Sequence, residues 1–448
     1  MKTKKLRMTF DFYKYLFFLN RNEGISLIIN LLIFSISLVT LIYSNQDYSE
    51  LFTEFNISVL ILVAYSLFNF IWDLIGKYQE IQGFTGKNPE IEMTSKTKLI
   101  KDDHVFNFGN ITGEQRGTWT YENYSPDGIQ HNTVIRSKEI DVVLWDKDFE
   151  LKVTPNREKV VREFILKNKE IITPFFQYKY FNSKKNNQLF FNESKLCMGS
   201  DFNPKSGYIN CFKGSYFNSF LTNEISSSAL KRTSDATVIY DASNFYPCKY
   251  NHTNEKYDLH NMDSDTPMNN HIGVSTLAIT KDNYLVIRKQ GSSSLQNINK
   301  YVPTGSGSCD WTDIQGDSFI ATIKYAMKRE LWEENGGKEI GSSINEFGET
   351  KVLGYFRWLK RGGKPEFVGI TRLNYDLNEL NPNQEELVNL STKHEKDTFY
   401  IESMNDLSEN IETIKDMENI SLPLAITLDA LQRYCTERPA ELNEFLNL

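Results

Sequence analysis

Cysteine is sparse in this 448-residue sequence and never paired. The five cysteines (Cys197, Cys211, Cys248, Cys309 and Cys435) are scattered, odd in number and nowhere spaced Cys-x-x-Cys. That excludes a disulfide framework and fits free thiols in a reducing compartment. A zinc site is also missing: Cys248, His252 and His260 come nearest, but match no standard spacing and have no second Cys pair. Nor is positive charge in excess. Fifty Lys and Arg against 58 Asp and Glu leave a net charge of −8, which excludes a nucleic-acid polymer as the main partner. A small nucleotide held through a metal is not excluded. The length allows two or three domains and a sizeable core.

Against those absences stands one dense stretch, GDSFIATIKYAMKRELWEENGG, residues 316–337. Ile323, Met327 and Leu331 recur at i, i+4 and i+8, so the spacing predicts an amphipathic helix. Gly336 and Gly337 end it, as where a chain enters a left-handed cap. The other face carries Glu330, Glu333 and Glu334, whose spacing stacks three carboxylates about 5–6 Å apart between Cβ atoms. Like charges that close repel, and a hard divalent cation, Mg²⁺ or Mn²⁺, would compensate them. Arg329 sits beside the cluster and can hold one carboxylate by a bidentate contact. A solvated acidic face paired to an arginine is the plainer alternative. The full run Arg-Glu-hydrophobic-x-Glu-Glu-x-Gly, closing on a helix stop, favours the metal site.

RELWEENG, Arg329 to Gly336, resembles the core of the Nudix box, the signature of the Nudix hydrolases. The resemblance implies an α+β Nudix fold, a mixed sheet flanked by helices, at the carboxy end. It also implies Mg²⁺ on Glu330, Glu333 and Glu334, Arg329 as their structural partner, and a substrate with a nucleoside diphosphate linked to another group. Two positions depart from the family pattern. The Glu eight residues before the arginine is Ala321, and the leading Gly falls on Gln315 beside Gly316. The stretch from Pro303 to Asp317, PTGSGSCDWTDIQGD, reads as a lengthened Gly-rich loop feeding a longer helix.

The chemistry implied is attack of water on phosphorus, with metal charge on the phosphate oxygens and a carboxylate as base. That base is one of the helix glutamates or a further acid from a loop. Glu366, which opens the strand after Gly362-Gly363, is either this base or a surface charge. Arg288, at a strand end, either reaches a phosphate of the bound nucleotide or is solvated.

Residues 1–22 are basic and aromatic. An uncharged apolar run follows at 24–44 and a second at 55–74, each long enough to cross about 30 Å of bilayer. Positive charge before the first run predicts a two-pass hairpin in a bacterial inner membrane with both chain ends cytoplasmic. No cleavage site follows the first run, so a signal peptide is not indicated. Ser26, Asn30, Ser37, Thr40 and Ser44 form a polar stripe on one helix; Ser58, Ser66, Asn69 and Asp73 form one on the other. Either the stripes pack together within one hairpin, or hairpins from several chains associate around water.

The region 77–265 reads as β-rich. Residues 91–153 alternate apolar and polar between turn signals such as 123–128, with IDVVLW (140–145) the clearest strand. Thr154 and Pro155 open a helix through about Lys169. Residues 172–260 show no sustained period, and SYFNSFLTNE (215–224) is either core or a stacking surface for a base. The polar run 250–270 is a loop and the domain boundary. In 270–448, hairpins are predicted from 272–280 with 283–289 and from 351–361 with 365–375, then a closing helix from Leu422 to Phe445.

The order of spans, spacer and carboxy-terminal module resembles the membrane-Nudix effectors of the CBASS antiphage systems, whose module is the SMODS-associated NUDIX domain. In that family a neighbouring nucleotidyltransferase (a CD-NTase) makes a cyclic oligonucleotide, and the effector damages the cell. The resemblance implies a nucleotide partner, contact with the lipid bilayer, and homo-oligomers through the hairpins. Two readings stand: a ligand-controlled membrane effector, or a tethered pyrophosphohydrolase that depletes or edits a nucleotide.

Overall fold

A computed structural model describes residues 2–20, 31–36, 38–39, 54–85, 90–95, 106–107, 119–123, 133–202, 206–251, 256–259, 262, 266–290, 300–381 and 398–448. The amino end forms α1 (Lys2–Leu19), α2 (Glu54–Thr85) and strands β1 (Ile91–Ser95), β2 (Phe106–Asn107), β3 (Trp119–Asn123) and β4 (Thr133–Ser137). Next come α3 (Lys138–Asp146), β5 (Glu150–Val153), α4 (Arg157–Lys167), α5 (Lys169–Lys185), β6 (Ser194–Met198), β7 (Tyr208–Ser215) and α6 (Tyr216–Ser219). Strands β8 (Ser228–Arg232), β9 (Val238–Asp241), β10 (Cys248–Asn251) and β11 (Lys256–Leu259) follow. The remainder is β12 (Gly273–Ile279), β13 (Tyr284–Lys289), β14 (Tyr301–Pro303), β15 (Gly305–Ser308), α7 (Phe319–Glu334), β16 (Gly348–Trp358), β17 (Lys364–Leu373) and β18 (Thr398–Tyr400). It closes with α8 (Met404–Lys415), α9 (Leu422–Glu437) and α10 (Pro439–Leu446).

The centre is a nine-stranded sheet ordered β14-β13-β12-β17-β16-β4-β3, with β15 added on β12 and β18 on β13. It is mixed, since β12 and β17 run parallel while β12–β13 and β16–β17 are antiparallel. Both predicted hairpins are present. The first turns at Asn283 (φ 65°) and the second at Gly362 and Gly363 (φ 60° and 68°), left-handed conformations suited to Asn and Gly. Successive residues alternate between faces. Val274 and Phe367 therefore pack with Ile323 and Met327 of α7, whereas Leu277, Val368 and Ile370 pack with Leu424, Leu428 and Leu431 of α9. The predicted closing helix is two helices, broken where Pro439 opens α10 and supplies no backbone donor.

The middle region is built into this sheet. Strands β3 and β4 extend it beyond β16. Strand β6 is stitched to it by Leu196 N–H to Cys309 O and Ile272 N–H to Leu196 O, both 3.0 Å. Leu196, Met198, Phe202 and Ile209 share one core with Ile323 and Phe367. Of the polar run 250–270, Asn269 and Asn270 are buried.

Several expectations are corrected. No helix among the described residues is long and apolar enough to cross a membrane, which overturns the two transmembrane helices and the two-pass inner-membrane placement. Much of the run 24–44 lies outside the described residues. The run 55–74 lies inside α2, which includes Asn56, Ser58, Ser66 and Asn69 and continues to Thr85. At its far end Phe84 is buried, its ring 6.4 Å from Tyr178 of α5. Within the basic amino-terminal segment, α1 buries Met8, Phe12 and Leu19, with Phe12 stacked 3.7 Å from Tyr180. IDVVLW is helical, in α3, because Ser137 caps it by accepting from Ile140 N–H at 3.4 Å. Ile140 and Leu144 then bury one face, which outweighs the strand preference of the valines. The middle region is accordingly mixed α/β, with the predicted helix running only from Arg157 to Lys167 and α5 unforeseen.

Candidate functional site

Helix α7 is fixed at both ends before any chemistry is considered. Ser318 accepts from Ala321 N–H at 3.0 Å at its start, as an N-cap should. Its buried face includes Ile323, Met327 and Leu331. The chain leaves the helix through Asn335, and Gly336 takes φ +78°. The stretch read as a loop is partly strand: β15 pairs with β12 from Thr276↔Gly305 to Gly273↔Ser308. Its glycines explain why the helix sits so close. A Cβ on Gly305 would lie 2.7 Å from Leu331 Cα, and one on Gly307 would overlap the Glu330 carboxylate.

That close approach brings strand amides to the acids. Ser308 N–H donates to Glu330 Oε1 at 3.1 Å and Ser306 N–H to Glu334 Oε2 at 3.2 Å. Arg329 ties the cluster together. It lies 3.0 Å from Glu330 Oε1 and 3.2 Å from Glu333 Oε2, and donates to Ser308 O at 2.9 Å. Burial alone would lower its pKa, but the charges of Glu330 and Asp313 outweigh burial and raise it well above the usual value. Glu334 is buried, whereas the Glu333 side chain is half-exposed. Partial burial and the neighbouring Glu330 push the Glu333 carboxyl up to about 7, against the pull of Arg329.

Asp313 was not foreseen. It is 1% exposed and accepts from Arg329 Nε at 2.7 Å and Nη2 at 2.9 Å, the bidentate fork of a strong pair. It also explains Ala321. Because α7 begins at Phe319, the position eight residues before the arginine is already helical, about 12 Å along the axis. A loop acid reaches Arg329 instead. The signal lay in CDWTD (309–313), two aspartates in a Gly-rich approach to the helix. Asp310 is the other; it lies 3.8 Å from Arg329 and is paired with Lys195 of β6.

Among the described residues no group of three or more His, Cys, Asp or Glu is arranged to hold a metal ion. The charge balance nevertheless suits one. Among the described residues Glu193, Asp310, Asp313, Glu330 and Glu333 pair with three cations, Arg7, Lys195 and Arg329. Five carboxylates against three cations leave two formal negative charges, with oxygen donors of the kind Mg²⁺ and Mn²⁺ take.

The other predicted residues lie elsewhere. Arg288 is buried and directs Nε (3.1 Å) and Nη2 (2.9 Å) to Asn335 Oδ1, steadying the end of α7. Glu366 alternates with Phe367, so it lies on the sheet face away from α7. There it accepts from Lys364 at 2.5 Å and Arg361 at 3.5 Å, over a space left by Gly273. Phe217, Phe220 and Leu221 of the 215–224 stretch are core. His252 and His260 fall outside the described residues.

No protein-family model and no curated protein matches the chain. Solved structures similar to it include DR0079 from Deinococcus radiodurans, with 14% identity over 36% of this chain and 81% of that one, at a TM-score of 0.24. Another is the MutT protein from Methanosarcina mazei Go1, with 16% identity over 37% of this chain and 94% of that one, also at 0.24. TM-scores this low carry no functional weight.

Proposed function

We propose that this chain is a Nudix-type hydrolase that binds a nucleoside-diphosphate-linked compound with a divalent cation at the acidic end of α7 and cleaves its phosphoanhydride bond. The observation that carries the reading is the excess of carboxylates over cations around Arg329. The RELWEENG resemblance supports it. The membrane-effector reading depended on the hairpin and falls with it.

Glu330 and Glu334, oriented by the β15 amides, would hold the cation together with Glu333. When bound, Mg²⁺ supplies charge neutralisation at the phosphate oxygens and a more acidic water. Arg329 keeps Glu330 and Glu333 from splaying apart. Glu333, half-exposed, is the carboxylate able to take a proton from the attacking water at its Oε atoms. Glu366, on the opposite sheet face, takes no part.

Incubating the purified chain with Mg²⁺ and a panel of linear and cyclic nucleotides, scoring retention and cleavage in the same tubes, tests this. Cleavage of a nucleoside-diphosphate-linked compound, abolished by chelation, is the expected result. Absence of both retention and cleavage across the panel would overturn it.

A further inference from the structure

The segment that reaches from the middle region to the acidic end of α7 is β6. Its backbone is bonded to Cys309 and Ile272, and Lys195 forms an isolated bridge with Asp310. The Lys195 side chain is nearly buried, and its Nζ pairs with Asp310 and, at 3.0 Å, with Glu193. Asp310 in turn faces Arg329 at 3.8 Å. Charges of alternating sign therefore run Glu193, Lys195, Asp310, Arg329, and then Glu330 and Glu333.

Burial on its own would lower the Lys195 pKa, but Asp310 and Glu193 outweigh burial and Glu330 adds to them, so the ammonium stays charged. A nearly buried lysine normally marks a structural pair. This one differs because the carboxylate it holds is shared with the acidic cluster, which is already short of positive charge. An ammonium placed there satisfies the same deficit a divalent ion would. It also repels that ion through a poorly screened medium.

We propose that Lys195 is a built-in counter-cation of the α7 site, competing with the divalent ion and setting how tightly the ion is held. The inference rests on the metal-binding reading above. Because coupling is reciprocal, an ion arriving at α7 loosens the Lys195–Asp310 pair. That gives β6, and the middle region behind it, a means of registering occupancy.

The test is calorimetric titration of the full chain with Mn²⁺ alone. Lys195→Met is expected to bind Mn²⁺ at least tenfold more tightly than the wild type, and Lys195→Arg to bind like the wild type. Lys195→Gln, which keeps a donor for Asp310, should move in the same direction as the methionine variant and serves if that variant does not fold. A purely structural pair would lower the unfolding midpoint and leave affinity unchanged. Equal or weaker Mn²⁺ binding in the neutral variants overturns the proposal while leaving the metal site standing. No Mn²⁺ binding in any of the four proteins overturns both.

Discussion

Replacing Asp313 by asparagine removes a charge and leaves the shape almost unchanged. In the native protein its carboxylate is 1% exposed and grips Arg329 through two hydrogen bonds of 2.7 and 2.9 Å. Breaking a buried pair by neutralising one partner costs about 3–5 kcal/mol, because the other charge is left buried. Arg329 would keep Glu330 at 3.0 Å and Glu333 at 3.2 Å, so the loss should fall at the low end, about 3 kcal/mol. Urea unfolding of the full chain should show a lower midpoint with an unchanged slope. Adding Ala321→Glu should not restore it, since that side chain starts about 12 Å away along the helix. A loss below about 1 kcal/mol, the range of an exposed pair, or recovery in the double variant, would refute Asp313 as the buried anchor of Arg329.

Two glycines of β15 should respond differently. Gly305→Ala puts a Cβ 2.7 Å from Leu331 Cα, a backbone atom that cannot yield, so thermal unfolding should show a loss of about 3 kcal/mol. Gly307→Ala meets only the flexible end of Glu330; its unfolding should change little while Mn²⁺ affinity falls. Asn335→Ala removes an acceptor of Arg288 and the donor to Thr304 O at 2.9 Å, and should cost about 1–3 kcal/mol in urea unfolding through the loss of these buried hydrogen bonds. The Glu333 carboxyl, raised from 4.5 to about 7, is protonated more readily in the folded chain. Its contribution to stability is therefore present below about pH 4.5 and lost as pH rises through about 7. The midpoint of the metal-free protein should decline across that window, modestly because the group is half-exposed, and saturating Mg²⁺ should flatten the decline.

Helix α7 and the β12–β13 and β16–β17 hairpins were legible because each carries a local signal. Ile323, Met327 and Leu331 repeat at helical spacing, and Gly362-Gly363 separates two apolar runs. The acids of α7 were legible for the same reason, being neighbours in sequence. Asp313 and Lys195 were not, since one reaches Arg329 from a loop 16 residues away and the other comes from a strand paired across the fold. The sheet face of Glu366 was not legible because proximity to a turn does not say which face a residue takes, and its cross-strand neighbour, Gly273, lies on β12. IDVVLW misled through its valines, while the deciding feature was the serine before it. The amino-terminal hairpin misled because a hydropathy window ignores where a helix ends; α2 continues to Thr85 and Phe84 packs near Tyr178.

Whether the α7 carboxylates perform metal-dependent hydrolysis is tested most directly in ¹⁸O-labelled water. The wild type and Glu334→Gln would be compared with Mg²⁺ and with chelator, on a substrate found in the nucleotide panel. Mg²⁺-dependent product with one ¹⁸O in its new phosphate, reduced at least a hundredfold in the folded variant, is the predicted result. Equal turnover in the variant, or turnover that survives chelation, would contradict it.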